Sequence, residues 1–214
     1  VGADGPTHAG SFDTTYLTTL PNFIVMAASD EAELVRMINT STEINDRPCA
    51  FRYPRGTGLG SILPSINEKI EIGKSKIIKE GKKLAILNFG ARLNETLKAA
   101  ENLLKKGVPI TVVDARFAKP LDENLIWQLA TTHEAIMTIE EGSIGGFGSH
   151  VVNFLTKKGL MDSNLKFRSL TLPDIFIDQD TPDKMYKVAN LDSVSIEEKV
   201  LDLLNSNIVL KKQN

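Results

Sequence analysis

Hydrophobic positions along the chain cluster in short runs separated by longer amphipathic stretches. The runs are "FIVMAA" (23–28), "PCAFRY" (48–53), "LAILNFG" (84–90), "PITVVDA" (109–115), "EAIMTIEE" (134–141) and "FRSLTL" (167–172). The continuous run 23–28 predicts a strand covered on both faces, 109–115 and 134–141 predict further buried strands, and 48–53, 84–90 and 167–172 predict strands. Between them, "SDEAELVRMINTSTE" (29–43) places Leu34, Met37 and Ile38 on one helix face, with Ser29 as N-cap and acids in the first turn. "ARLNETLKAAENLLKKG" (91–107) aligns Leu93, Leu97, Ala100 and Leu104 and stops at Gly107. "DENLIWQLATT" (122–132) and "SHVVNFLTKKG" (149–159) predict further helices. "SIEEKVLDLL" (195–204) predicts a last one, opened by a Ser195–Glu198 capping box. Strands alternating with helices through short connections predict an α/β fold with a mainly parallel sheet wound right-handed.

Charge divides the chain. Residues 1–68 hold four arginines, no lysine and eight acids, a net of −4, whereas the remainder nets +2. The change falls at "TGLGSILPSINEK" (57–69), whose Gly, Pro and Ser content reads as a linker. Four segments are expected: a first unit over 1–62, a linker over 63–80, a complete compact domain over 81–207 and a tail over 208–214. Two strands are too few for the first unit to close a core alone.

Composition narrows the functional classes. Hydrophobic residues make up 42% and charged residues 24% of 214 positions, as in a soluble globular protein. A net charge of −2 argues against nucleic acid or an anionic membrane as the main partner. No stretch approaches the ~20 apolar residues of a membrane span. Cys49 is the only cysteine, so no intrachain disulfide can form, which points to a reducing, cytoplasmic compartment. Within "PCAFRY" its thiol reads as structural.

Three stretches carry candidate chemistry. In "DGPTH" (4–8), Gly5 permits unusual backbone angles and Pro6 fixes the turn, so Asp4 and His8 are presented on a rigid backbone. An imidazole there can trade protons at neutral pH. An ordinary Asx-type turn with a solvated histidine is the plainer alternative. "FRYPRGTGLG" (51–60) sets Arg52 and Arg55 around Pro54, followed by three glycines. A guanidinium donates two parallel hydrogen bonds to a phosphate. Arg55, just past the bend, is the expected anion ligand, and a rim arginine paired to a surface acid is the alternative. "EEGSIGGFGSHVV" (140–152) is Gly-rich between strand and helix but fits neither G-x-G-x-x-G nor the P-loop. Its glycines read as allowing a tight loop and close helix–strand packing, with Glu140 and Glu141 capping the helix or pairing across an interface. His133 and His150 have no metal-ligand spacing and are assigned no metal.

Together "DGPTHAGSFDTTYLTTLPNFIVMAASDEAEL", "PCAFRYPRG", "LAILNFG", "VVDARFAKPLD", "TIEEGSIGGFGS" and "LPDIFIDQ" resemble the 1-deoxy-D-xylulose-5-phosphate synthase family, in order and to about residue 205. Transketolases share "DGPTH" and "LPN" but continue with Gln-Pro-x-Glu after the histidine. Pyruvate-dehydrogenase β subunits share the C-terminal layout and lack this opening. The resemblance implies the back of a thiamine-diphosphate pyrimidine-binding domain followed by a transketolase C-terminal-type domain. It implies a thiamine-diphosphate and Mg2+ enzyme condensing pyruvate with D-glyceraldehyde 3-phosphate and releasing CO2, at the entry to isoprenoid, thiamine and pyridoxal phosphate synthesis. By motif, Asp4 and His8 match catalytic residues at the substrate end of the thiazolium site, and Arg55 matches the arginine holding the acceptor's phosphate. Nothing is carried over to Arg52, which is expected to be structural. Cofactor and metal ligands are expected in upstream sequence of the same protein, which contains a Gly-Asp-Gly…Asn motif not present in these residues. The chain is therefore expected to be a C-terminal piece, inactive alone, of a homodimeric enzyme. A transketolase, a 2-oxoacid dehydrogenase β-type subunit and a non-catalytic dimerisation fragment are the alternatives.

Overall fold

The computed structural model describes residues 2–205. The tail expected at 208–214 lies outside the described residues.

The first apolar run becomes strand β1 (Ile24–Ala27), buried at every position. It is the middle strand of three. β2 (Cys49–Arg52) runs parallel on one side, from Ile24 opposite Cys49 to Ala27 opposite Arg52. On the other side β6 (Phe117–Lys119) pairs antiparallel, Met26 opposite Phe117. Because side chains alternate across a strand, β1 feeds two cores. Ile24 and Met26 pack with Met37 and Phe117 beneath helix α2 (Glu31–Ser41). Val25 and Ala27 join the cluster of Leu87, Phe89 and Phe147.

The second sheet has five strands in the order β3-β5-β4-β7-β8. β5 (Thr111–Asp114), β4 (Leu84–Phe89), β7 (Ala135–Glu140) and β8 (Lys166–Leu170) are mutually parallel neighbours. The edge strand β3 (Lys76–Lys79) is antiparallel to β5. Alternation along β4 again sorts the layers. Leu84 and Ile86 face helices α3 (Leu93–Lys105) and α7 (Ser193–Asn205). Ala85, Leu87 and Phe89 face α4 (Glu123–Thr132) and α5 (Phe147–Lys157). This is the expected α/β architecture, with mixed sheets.

Several local expectations are corrected. The 63–80 stretch is not all linker, since β3 lies within it. Ser29 does not cap α2. Asp30 does, its carboxylate accepting the Glu33 N–H at 2.7 Å, while the Ser29 hydroxyl donates to Asp114 at 2.6 Å. The Ser195–Glu198 capping box does not open α7, which already begins at Ser193. The Ser193 N–H donates to Glu95 on α3 at 3.1 Å, so a tertiary contact replaces the local cap. Helices α1 (Asp13–Thr19) and α6 (Pro182–Val188), and strand β6, had no periodic signal long enough to predict them. Cys49 is half-buried on β2 with its thiol free. No helix among the described residues is long and apolar enough to cross a membrane.

Candidate functional site

Residues 2–8 form a tight 3₁₀ turn broken at Gly5, which adopts φ 55°, ψ −144°. A side chain there would be excluded twice. The left-handed φ strains any L-residue, and a Cβ would lie 2.9 Å from the Gln179 Cβ and 3.0 Å from its backbone nitrogen. The hydroxyl of Thr7 donates to the Asp4 carbonyl at 2.9 Å and contacts His8 Nδ1 at 2.9 Å. When the Thr7 proton goes to that carbonyl, Thr7 accepts from Nδ1–H and Nε2 of the neutral ring is the acceptor. A cavity of about 450 Å3 lined by Gly2, Ala3, Gln179, Asp180, Thr181 and Pro182 adjoins the turn.

The structure brings the second candidate to the first. Arg55 lies on the loop after β2 and its guanidinium pairs with the Asp4 carboxylate. The Arg55 side chain is 68% exposed, against 29% for Asp4, so the fork is held at its inner edge and open to solvent on the other. Arg52, three residues earlier, points inward instead. Its Nε donates to Asp13 at 3.0 Å and its Nη1 to the Glu141 carbonyl at 2.9 Å, pinning the start of α1 to the end of β7. The Pro54 bend thus separates a structural arginine from a solvent-facing one.

The Gly-rich loop after β7 serves packing. The Glu140 carboxylate is buried and accepts the N–H groups of Phe147 and Gly148 at 3.0 and 2.9 Å, capping α5. Burial nonetheless raises its pKa. A Cβ at Gly142 or Gly146 would approach Glu140 Oε2 to 2.6 or 2.3 Å, and one at Gly148 would approach the Thr138 hydroxyl to 2.6 Å. Glu141 pairs with Arg92 at 2.6 Å, and the Arg92 guanidinium lies 3.4 Å from the Tyr186 ring centroid. Burial, with Glu141 beside it, pushes the Tyr186 hydroxyl pKa upward. His133 contacts the Thr111 hydroxyl at 2.9 Å and His150 sits in the first turn of α5. Burial lowers the pKa of both.

Sequence reasoning did not single out the buried acids Glu33, Asp114, Asp122 and Glu197, and Asp114 is the most deeply buried of them. Asp114 ends β5, accepts from the Ser29 hydroxyl, and is pushed up to about 7 by burial. An acid closing an otherwise apolar strand was the available signal. Among the described residues, no group of three or more His, Cys, Asp or Glu side chains is arranged to hold a metal ion.

A short first sheet, a mainly parallel second sheet and a His-bearing turn beside an arginine loop define the class as an α/β protein with mixed sheets. Residues 73–196 match the family model "Transketolase, C-terminal domain", and residues 1–58 match "Transketolase, pyrimidine binding domain". The chain belongs to this transketolase-like family, whose members use thiamine diphosphate. Among solved structures it is similar to one titled "Split gene transketolase, inactive beta4 tetramer", at 27% identity and a TM-score of 0.81. The match covers 95% of this chain and 65% of that one.

Proposed function

We propose that this chain is part of a synthase that condenses pyruvate with D-glyceraldehyde 3-phosphate to 1-deoxy-D-xylulose 5-phosphate and CO2. The contact of Arg55 with Asp4 carries the reading, because it gathers an anion ligand and the His8 turn at one place. Carbanion chemistry belongs to the thiamine diphosphate. This chain's residues bind, orient and move protons at the acceptor. Arg55 presents its open edge to the acceptor's phosphate, and that dianion competes with Asp4 for the guanidinium. His8, held through Nδ1 by Thr7, offers Nε2 to a substrate hydroxyl proton. The metal and diphosphate are held by sequence outside these residues, and the working unit is a homodimer. Titration calorimetry is expected to find no tight thiamine diphosphate binding by the isolated chain. Tight binding would overturn that assignment.

The split-gene neighbour favours a second reading, a transketolase-type subunit that transfers a two-carbon unit between sugar phosphates. The two readings differ in one product. Assembled enzyme given pyruvate and D-glyceraldehyde 3-phosphate releases CO2 under the first and none under the second.

A further inference from the structure

The loop bearing Arg55 is anchored at both ends and exposed between them. At its start it leaves β2, where the Ala28 N–H donates to the Arg52 carbonyl at 3.0 Å. At its far end one carboxylate gathers three consecutive backbone donors. Glu31 accepts from Gly60 and Ser61 through Oε1 at 2.5 and 2.8 Å, and from Leu59 through Oε2 at 3.0 Å. Asp30 adds a fourth contact, accepting the Ser61 hydroxyl at 2.9 Å. The backbone is pressed close at this point: a Cβ on Gly58 would lie 2.8 Å from Glu31 Oε1 and 2.9 Å from its Cδ. Between the anchors, Tyr53 and Arg55 are exposed, and the ion pair with Asp4 is the contact recorded for the Arg55 guanidinium.

Asp30 caps helix α2. The Glu31 carboxylate meets its own backbone N–H and, beyond its helix, a segment 28 to 30 residues away. Its own N–H first, then the N–H groups of Leu59, Ser61 and Gly60, hold the Glu31 carboxyl below the usual carboxylate range. An exposed six-residue loop with free ends would spread its arginine over many positions. Fixing the 59–61 backbone removes that freedom before substrate arrives.

We propose that Glu31 is a positioning residue that, by clamping the backbone at 59–61, holds the Arg55 loop where its guanidinium meets the acceptor's phosphate beside Asp4. This rests on the reading of Arg55 as phosphate ligand. The claim is that recognition of the phosphorylated substrate depends on an acid that never touches it.

The experiment compares Glu31→Ala, Gly58→Ala and Arg55→Ala in the assembled enzyme. Two quantities are read: amide hydrogen exchange at Leu59, Gly60 and Ser61, and KM for D-glyceraldehyde 3-phosphate and for pyruvate. Glu31→Ala is expected to speed exchange at all three amides about tenfold or more. It should also raise the acceptor KM about tenfold, with pyruvate KM and kcat changed less than about twofold. Gly58→Ala, which pushes the clamp from its other side, should shift the same quantities in the same direction. Unchanged exchange in both variants overturns the clamp. Faster exchange with an unchanged acceptor KM also overturns it, while leaving Arg55 as ligand if Arg55→Ala alone raises that KM. If Arg55→Ala leaves the acceptor KM unchanged, the reading beneath the proposal fails and the proposal with it.

Discussion

Arg55 and Gly5 show how differently single residues contribute. The Arg55 side of the Arg55–Asp4 pair is largely solvent-exposed, and pairs open to solvent in this way contribute ~1 kcal/mol or less to stability. Arg55→Ala should therefore leave the urea midpoint nearly unchanged. Its expected cost, about 2 kcal/mol for a lost charged hydrogen bond, falls on the phosphorylated acceptor. A stability loss as large as the binding loss would mark Arg55 as structural. Gly5 is the reverse case. Gly5→Ala places a Cβ into Gln179 at a φ of 55°, so it should lower stability by about 1–3 kcal/mol in denaturant melts. The need for glycine at this turn was legible in "DGPTH". The Gln179 contact, more than 170 residues away along the chain, was not.

At the scale of elements, the helix of 147–157 depends on a strand residue. Glu140 supplies two of the acceptors that the first turn of α5 lacks. Glu140→Ala should cost about 2–4 kcal/mol, because it strips the cap and leaves a hole beneath Gly142 and Gly146. Glu140→Gln, which keeps the volume and one acceptor, should cost about 1 kcal/mol. Thermal melts of the two variants check the order, and equal losses would argue for a packing role alone. The stretch "EEGSIGGFGS" was correctly read as allowing close packing, since glycine spacing matched no phosphate loop. Glu140 as a cap for the following helix was also legible there, and its contacts with Phe147 and Gly148 bear that out; the caps of two other helices were not. Ser29 and Ser195 have good capping chemistry, yet Asp30 caps α2 and Glu95 takes the first N–H of α7. Capping preference is worth about 1 kcal/mol, small enough for tertiary contacts to override.

Across the whole molecule, β1 and the Ser29–Asp114 contact tie the first sixty residues to the second sheet. Asp114 is buried and its pKa is raised to about 7 from an ordinary 3.8. The fold thus favours its protonated form. Its contribution to stability is fully present below about pH 4 and is lost as pH rises through about 7. Three pKa units correspond to on the order of 4 kcal/mol. Urea midpoints measured from pH 4 to 8 should fall over that window, less steeply in Asp114→Asn. The same slope in both proteins would assign the effect elsewhere. The second face of this junction is Glu33, which is buried and pairs with Arg36 at 2.9 Å and Arg116 at 2.8 Å.

By itself the sequence determined the buried strands 24–27, 84–89, 111–114 and 135–140, their connecting helices, and the family motifs around Asp4, His8 and Arg55. Runs of apolar residues and helical periods are local, and each was long enough to stand above its neighbours. Tertiary structure alone decided that β6, a three-residue strand well beyond the linker, completes the first sheet, and that β3 turns antiparallel on the edge of the second. It also decided that Arg52 points in while Arg55 meets Asp4. Strand partners and side-chain directions depend on groups tens to hundreds of residues away, and no local pattern encodes which of several similar partners will be nearest.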